Sequence, residues 1–130
     1  MKGLWAAMTA CLAAVVVYAA MMEPGQRTVV VYMGPSCDCC EIWMDYMRAN
    51  GFSVDGPADQ EDDGMNYRLK IPSALSSCHT AVVDGYIVEG HVPVSDVERL
   101  LDERPDVVGL AVPGMPVGSP GMEGPDPEAY

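Results

Sequence analysis

An α/β fold is the class this 130-residue sequence predicts, on three observations. An apolar, β-branched run, Thr28-Val-Val-Val-Tyr-Met33, passes directly into a segment with helical periodicity. Two further β-rich runs flank Asp84-Gly85, a dipeptide suited to the left-handed corners of a tight hairpin. Ser95-Asp-Val-Glu98 then has the form of a capping box opening a last helix. The length fits one domain.

The elements follow in order. Thr28–Met33 is apolar at nearly every position, as expected of a central strand buried on both faces. Gly34-Pro35-Ser36 breaks it. From Cys39 or Cys40 to Asn50, one helical face carries Cys40, Trp43, Met44 and Met47, and Glu41, Asp45 and Arg48 fall largely on the other. Gly51 supplies a left-handed stop. Phe52–Asp55 reads as a short second strand. Asp59–Lys70 is polar and acidic, a weak helix with Met65 and Leu69 as its apolar contacts, and Pro72 ends it. Thr80–Val83 and Tyr86–Glu89 are the hairpin strands. The helix from Ser95 to about Arg104 buries Val97, Leu100 and Leu101, with Pro105 just beyond. The order is therefore strand, helix, strand, helix, strand, strand, helix, with a Gly/Pro-rich C-terminal segment. A parallel pair joined by a helical crossover, followed by an antiparallel hairpin and a covering helix, gives a thioredoxin-like layering. That layering sets Cys37, Cys39 and Cys40 at the carboxyl ends of the parallel strands, where open α/β sheets carry their chemistry. Cys78 stands just before the hairpin.

Residues 1–22 form a segment apart. Lys2 precedes an uncharged apolar run from Leu4 to Ala20, and Val17-Tyr18-Ala19 offers a small-residue cleavage site, the pattern of a secretory signal. Continued through Met21 and Met22, the run also reaches the length of an uncleaved membrane anchor. Either reading exports the rest of the chain, and contact with a membrane is expected through this segment alone. Residues 23–27 are a linker, 28–112 the metal-binding domain and 113–130 the Gly/Pro-rich segment. The formal charge of −12 opposes binding to nucleic acid or anionic membrane surfaces and favours cations or basic partners. An acidic surface also serves plain solubility.

The chemistry lies in the cysteines. With Cys11 in the leader, Cys37, Cys39, Cys40 and Cys78 remain. A purely structural disulfide framework fits poorly: adjacent cysteines rarely bridge each other, and Cys78 is the one distant partner. Cys37 and Cys40 form a Cys-x-x-Cys at a helix start, where the oriented N–H groups stabilise thiolate. A thiol–disulfide oxidoreductase is thus one reading. Asp38, Glu41 and Asp45 work against thiolate, and Cys39 gives mixed disulfides a wrong exit. The favoured reading is a soft-metal site. Adjacent Cβ vectors diverge, so three thiolates of one turn surround a single tetrahedral ion badly, yet they can bridge several low-coordinate Cu(I) ions. Bound cations also make the acidic neighbours tolerable. His79 adjoins Cys78 and is a candidate ligand, while His91, at the far end of the hairpin, is balanced between a ligand and a strand-end residue. A closed zinc site of Cys37, Cys40, Cys78 and His79 is chemically sound but leaves Cys39 idle. Met33, Met44 and Met47 read as core; Met115 and Met122 stand open between copper contacts and simple plugs.

The stretches YMGPSCDCCEIWMDYMRANGF, SCHTAVVDGYIVEGHVPVSDVERLL and VGLAVPGMPVGSPGME together resemble the CopG-like family of exported copper-resistance proteins. The resemblance covers roughly residues 29–123. It implies a thioredoxin-like fold, a periplasmic location, copper bound through the cysteines, and a part in copper tolerance that extends to copper redox chemistry. The expected cargo is Cu(I), as one ion or several, and other periplasmic copper-handling proteins are the expected partners. The positions it carries over are Cys37, Cys39, Cys40 and Cys78, with His79 adjoining. Relatives are expected to continue past the Pro-Gly-Met-Glu segment into a terminal apolar strand, whereas this chain ends in PDPEAY.

Overall fold

A computed structural model describes residues 25–34, 36–56 and 69–130. The leader or anchor at 1–22, the first two linker residues and the acidic helix expected at 59–70, up to residue 68, lie outside the described residues. Five strands and two α-helices are described: β1 (Thr28–Met33), α1 (Asp38–Ala49), β2 (Ser53–Asp55), β3 (His79–Val83), β4 (Tyr86–Glu89), α2 (Val94–Glu103) and β5 (Gly109–Ala111). A single 3-10 turn, Ser73–Leu75, precedes β3. The strands form one mixed sheet in the order β2-β1-β3-β4-β5. β1 runs parallel to β2 and antiparallel to β3, β3 antiparallel to β4, and β4 parallel to β5. Among the described residues no helix is long and apolar enough to cross a membrane.

The two helices bury the faces their periodicity marks. Cys40, Trp43, Met44 and Met47 are the buried residues of α1; Val97, Leu100 and Leu101 are buried in α2, joined by Val94. They share a core with Val29, Val31, Ala81, Val83, Tyr86 and Val88 of the sheet. These strand residues alternate along their strands, so they line one face. Val30, Tyr32, Val82 and Ile87, at the intervening positions, are only half-buried. The expectation that β1 is buried on both faces is therefore corrected: its β-branched run reflects strand propensity on the second face rather than full burial. At the hairpin corner, Asp84 and Gly85 take φ of 49° and 86°, as the dipeptide predicts. Gly51, with φ 89°, likewise follows the end of α1.

Two local expectations are overturned. Ser95 does not cap α2. The cap lies two residues earlier, at Pro93, and no side-chain cap is formed. The Pro93 carbonyl accepts the N–H groups of Asp96 and Val97 (3.0 and 3.1 Å), and the Val94 N–H donates to the Tyr46 hydroxyl at 3.0 Å. A tertiary partner on α1 thus replaces the local capping box and ties the two helices together. The sheet also gains β5 within the segment read as irregular. Gly109 makes it possible, since a Cβ there would collide with the Ile87 carbonyl. The residue that reads as a breaker permits the close backbone approach of the fifth strand.

Trp43 is fully buried and its indole N–H donates to the Val92 carbonyl at 3.0 Å, linking α1 to the segment after β4. Trp43→Ala is expected to destabilise the protein by about 3–5 kcal/mol, measured by chemical denaturation of metal-free protein. A loss below about 1 kcal/mol would mean that the ring does not anchor the core.

Candidate metal centre

Strand pairing assembles the site. Met33, the last residue of β1, lies opposite His79, the first of β3, and Cys37 comes beside Cys78. Cys37 holds the N-cap position of α1, and its carbonyl accepts the N–H groups of Cys40 and Glu41 at 3.1 and 3.2 Å. This turn brings Cys37, Cys39 and Cys40 to one mouth, and the sulfurs of all three and of Cys78 lie within 4.8 Å of one another. The four cysteines named from the sequence therefore meet. Asp38, Glu41 and Asp45 all lie exposed on the outer side of this helix.

Cys37 and Cys40 are joined in a disulfide, with Cα atoms 5.3 Å apart, while Cys39 and Cys78 are free thiols. Cys39 Sγ lies 3.5 Å from Cys37 Sγ, and Cys40 Sγ 3.6 Å from the Cys78 carbonyl. On the solvent side, Met115 Sδ is 4.0 Å from Cys39 Sγ and its side chain is half-exposed. Met115, one of the two methionines left open by the sequence, thus brings its sulfur to the mouth. Met44 and Met47 are core, and Met33 packs against it.

The hairpin brings a second set of donors. Because Asp84-Gly85 is a two-residue corner and Thr80 pairs with Glu89, the register carried outward sets His79 against Gly90 and Cys78 against His91. The Gly90 N–H donates to the His79 carbonyl at 2.9 Å. His91 Nε2 lies 3.0 Å from Cys78 Sγ, and His79 Nδ1 lies 3.4 Å from the same atom. His79 accordingly groups with Cys78 and His91 rather than with the four sulfurs. His91 is the ligand candidate that sequence reading left undecided, although the hairpin arithmetic around Asp84-Gly85 was the signal that located it. The C-terminal segment closes the far side: the Pro120 carbonyl accepts from His91 Nδ1 at 2.7 Å, and Gly121 (φ 85°) seats its backbone closely against Cys39 and Trp43, leaving little room for a side chain. Underneath, buried Glu89 accepts from the Ser77 N–H and the Thr80 hydroxyl, both at 2.6 Å, fixing the strand that leads into Cys78.

Burial dominates the electrostatics. The Cys78 thiol is pushed up to about 11, first by burial and then by neighbouring Cys39, against an opposing hydrogen bond from Ser77. His79 is lowered to about 3 by burial and by His91. His91 is lowered as well, again by burial, with the Pro120 carbonyl and Glu123 pulling the other way. The pocket is therefore neutral near pH 7: a protonated thiol between two uncharged imidazoles. Sulfur and imidazole nitrogen are soft to borderline donors, and a cation that displaces the thiol proton offsets the cost of burying thiolate. Buried His79 Nε2 has no hydrogen-bond partner. The donor set fits a soft or borderline metal ion.

With this geometry, the chain is similar to two solved structures of copper resistance protein CopG. The first, form 2, is 46% identical, with a TM-score of 0.71, over 80% of this chain and 83% of that one. The second, form 1, is 47% identical, with a TM-score of 0.69, over 76% of this chain and 78% of that one. The chain belongs to the CopG copper-resistance family. A family model described as a protein of unknown function, DUF411, matches residues 75–122, the stretch that holds Cys78, His79, His91 and the loop over them. No curated protein matches the chain.

A neutral buried histidine makes a family member of this kind acid-sensitive. Its folded value of about 3 lies below the 6.5 of the ordinary imidazole, so the unfolded chain takes up its proton first as pH falls. The stability tied to His79 is present above pH 6.5 and is lost as pH falls toward 3. Melting temperatures of metal-free protein are expected to drop more steeply between pH 6.5 and 4 than those of His79→Asn. Equal slopes would show that His79 is not buried neutral.

Proposed function

We propose that this chain is an exported, periplasmic copper-binding protein that holds Cu(I) among Cys37, Cys39, Cys40 and Cys78, with His79 adjoining, and contributes to copper resistance or copper redox handling. The observation that carries the proposal is the meeting of four sulfurs within 4.8 Å at one mouth of the sheet. Copper is the metal named by the relatives' own role in copper resistance. Thiolates favour the monovalent ion, and three of them on one turn share several ions more readily than they enclose one. The apolar run behind Lys2 supports export, as a cleaved signal or as an anchor. The β2-β1-β3-β4 order, with α1 between two parallel strands, supports a thioredoxin-like reading of the fold. Other periplasmic copper-handling proteins are the expected donors and acceptors.

The Cys37–Cys40 disulfide sets a condition on this function. All four sulfurs become ligands only after two electrons from a thiol-class reductant, with two protons, convert that bond to two thiols. Copper loading then displaces thiol protons. The same disulfide favours a second reading from another class, a thiol–disulfide oxidoreductase working through Cys37 and Cys40 at the start of α1.

Anaerobic reconstitution of reduced protein with Cu(I), followed by metal analysis and X-ray absorption, is expected to give at least one copper per chain with sulfur-dominated coordination. Less than one copper with intact thiols would count against the proposal. Cys39→Ser separates the two readings. A sulfur-bridged copper site loses metal in this variant, whereas a Cys37/Cys40 disulfide catalyst keeps most of its activity in a standard dithiol-exchange assay.

A further inference from the structure

The two edges of the sheet are built differently. β2 closes one side; it is short, with Asp55 at its end and Pro57 two residues further along the sequence. A charge and a proline are common guards of an edge strand against pairing with another chain. β5, Gly109–Ala111, closes the other side, and among the described residues no strand lies beyond it. The Val108 carbonyl and the Val112 N–H are turned inward, to Ile87 and Glu89 of β4. In a chain of formal charge −12, residues 107–122 carry no charged side chain. Val107 and Val108 are 49% and 73% exposed. We propose that the outer edge of β5 is a self-association surface, to which a second copy of this chain adds its own β5 in antiparallel pairing.

Charge selects the occupant. Two copies of so acidic a molecule repel each other, and they meet at least cost where both surfaces are neutral. Antiparallel pairing about a two-fold axis also sets the two Asp106 carboxylates at opposite ends of the ladder, so like charges do not face each other. The edge is self-complementary, since each copy offers the other the same uncharged strand. Beside it lies an apolar groove of about 510 Å³, whose lining includes Ile71, Pro72, Leu75, Ile87, Val108 and Leu110. Leu75 is 42% exposed there. An incoming strand continues the sheet past this groove and covers its apolar surface. Lys70 stands exposed at the rim with no ion pair among the described residues, whereas Arg27, Arg48, Arg99 and Arg104 each pair with an aspartate. An unpaired cation favours an acidic occupant, and a second copy is one.

The contact is small. A strand of three residues and one groove bury less than a permanent dimer needs, so the pairing is weak and reversible. β4 and β5 are parallel, and the sulfur mouth lies past the end of β4, where His91 meets Cys78. Joining two β5 edges antiparallel therefore turns the two mouths to opposite ends of one continuous sheet. Both stay open. The surface uses no residue of the mouth and stands apart from the copper reading above.

Sedimentation of the metal-free exported chain, with a reductant present to exclude disulfide-linked pairs, is expected to show monomer passing toward dimer between about 10 μM and about 1 mM. The contact is neutral on a self-repelling molecule, so raising NaCl from about 50 to about 500 mM is expected to tighten it, where an ion-paired contact weakens. Val108→Lys puts a charge on the edge at an exposed position and is expected to raise the dissociation constant about tenfold or more. In the unaltered chain, amide exchange at Gly109–Ala111 is expected to slow as concentration rises, while exchange at Ser53–Asp55 stays constant. A monomer at every concentration, a dimer indifferent to Val108→Lys, or protection gained at β2 instead of β5 would overturn the proposal. So would association that appears only with added detergent or lipid, which assigns the groove to an amphiphile. Copper uptake plays no part in these readouts, so neither result decides the copper reading.

Discussion

The antiparallel pairing of β1 with β3 is the constraint on which the site depends. It runs from Val29 opposite Val83 to Met33 opposite His79, and it ends where the chemistry begins. Cys40 and Cys78 are 38 residues apart in the chain, yet they touch because their strands terminate at the same edge. A slip of one residue would turn every β3 side chain to the other face and carry Cys78 away from α1. Val29, Val31, Ala81 and Val83 prevent that slip, since all four must stay on the face covered by the helices. The hydrophobic core and the sulfur cluster are therefore set by one register.

A second layer of control comes from desolvation. The pocket stores its donors in neutral form, a thiol held up to about 11 and imidazoles held low, because burial there penalises a charge. Such donors are inert to protons near neutrality and respond to a cation, which supplies the missing countercharge. Buried Glu89 accepts hydrogen bonds from the Ser77 N–H and the Thr80 hydroxyl.

Much of this was legible in the sequence. The buried faces of both helices, the Asp-Gly corner and the four cysteines all follow from spacing and residue type, because each depends on neighbours a few residues away. What escaped depends on tertiary partners. The Ser95 capping box lost to Pro93 and the Tyr46 hydroxyl, a group on another helix. β5 was hidden by Gly109, whose lack of a side chain can signal a break or a close approach, and only the position of Ile87 distinguishes them. His91 was within reach of the sequence, since a two-residue corner fixes which residues face each other. The Cys37–Cys40 pairing was one of two readings the spacing left open, because a trio of cysteines on one turn can serve as ligands or contain a redox couple.

The loop from Val112 to Met122 gives the molecule one more property. Its Pro120 carbonyl holds His91, the Gly114 carbonyl receives the Ser77 hydroxyl, and the Gly121 backbone rests on the first turn of α1. Helix, hairpin and tail thus converge on a single point, and each contributes a donor or the support behind one. Whatever is lodged there fastens three remote stretches of chain together, so cargo and architecture are thermodynamically linked: an ion held by all three stabilises the native state by mass action.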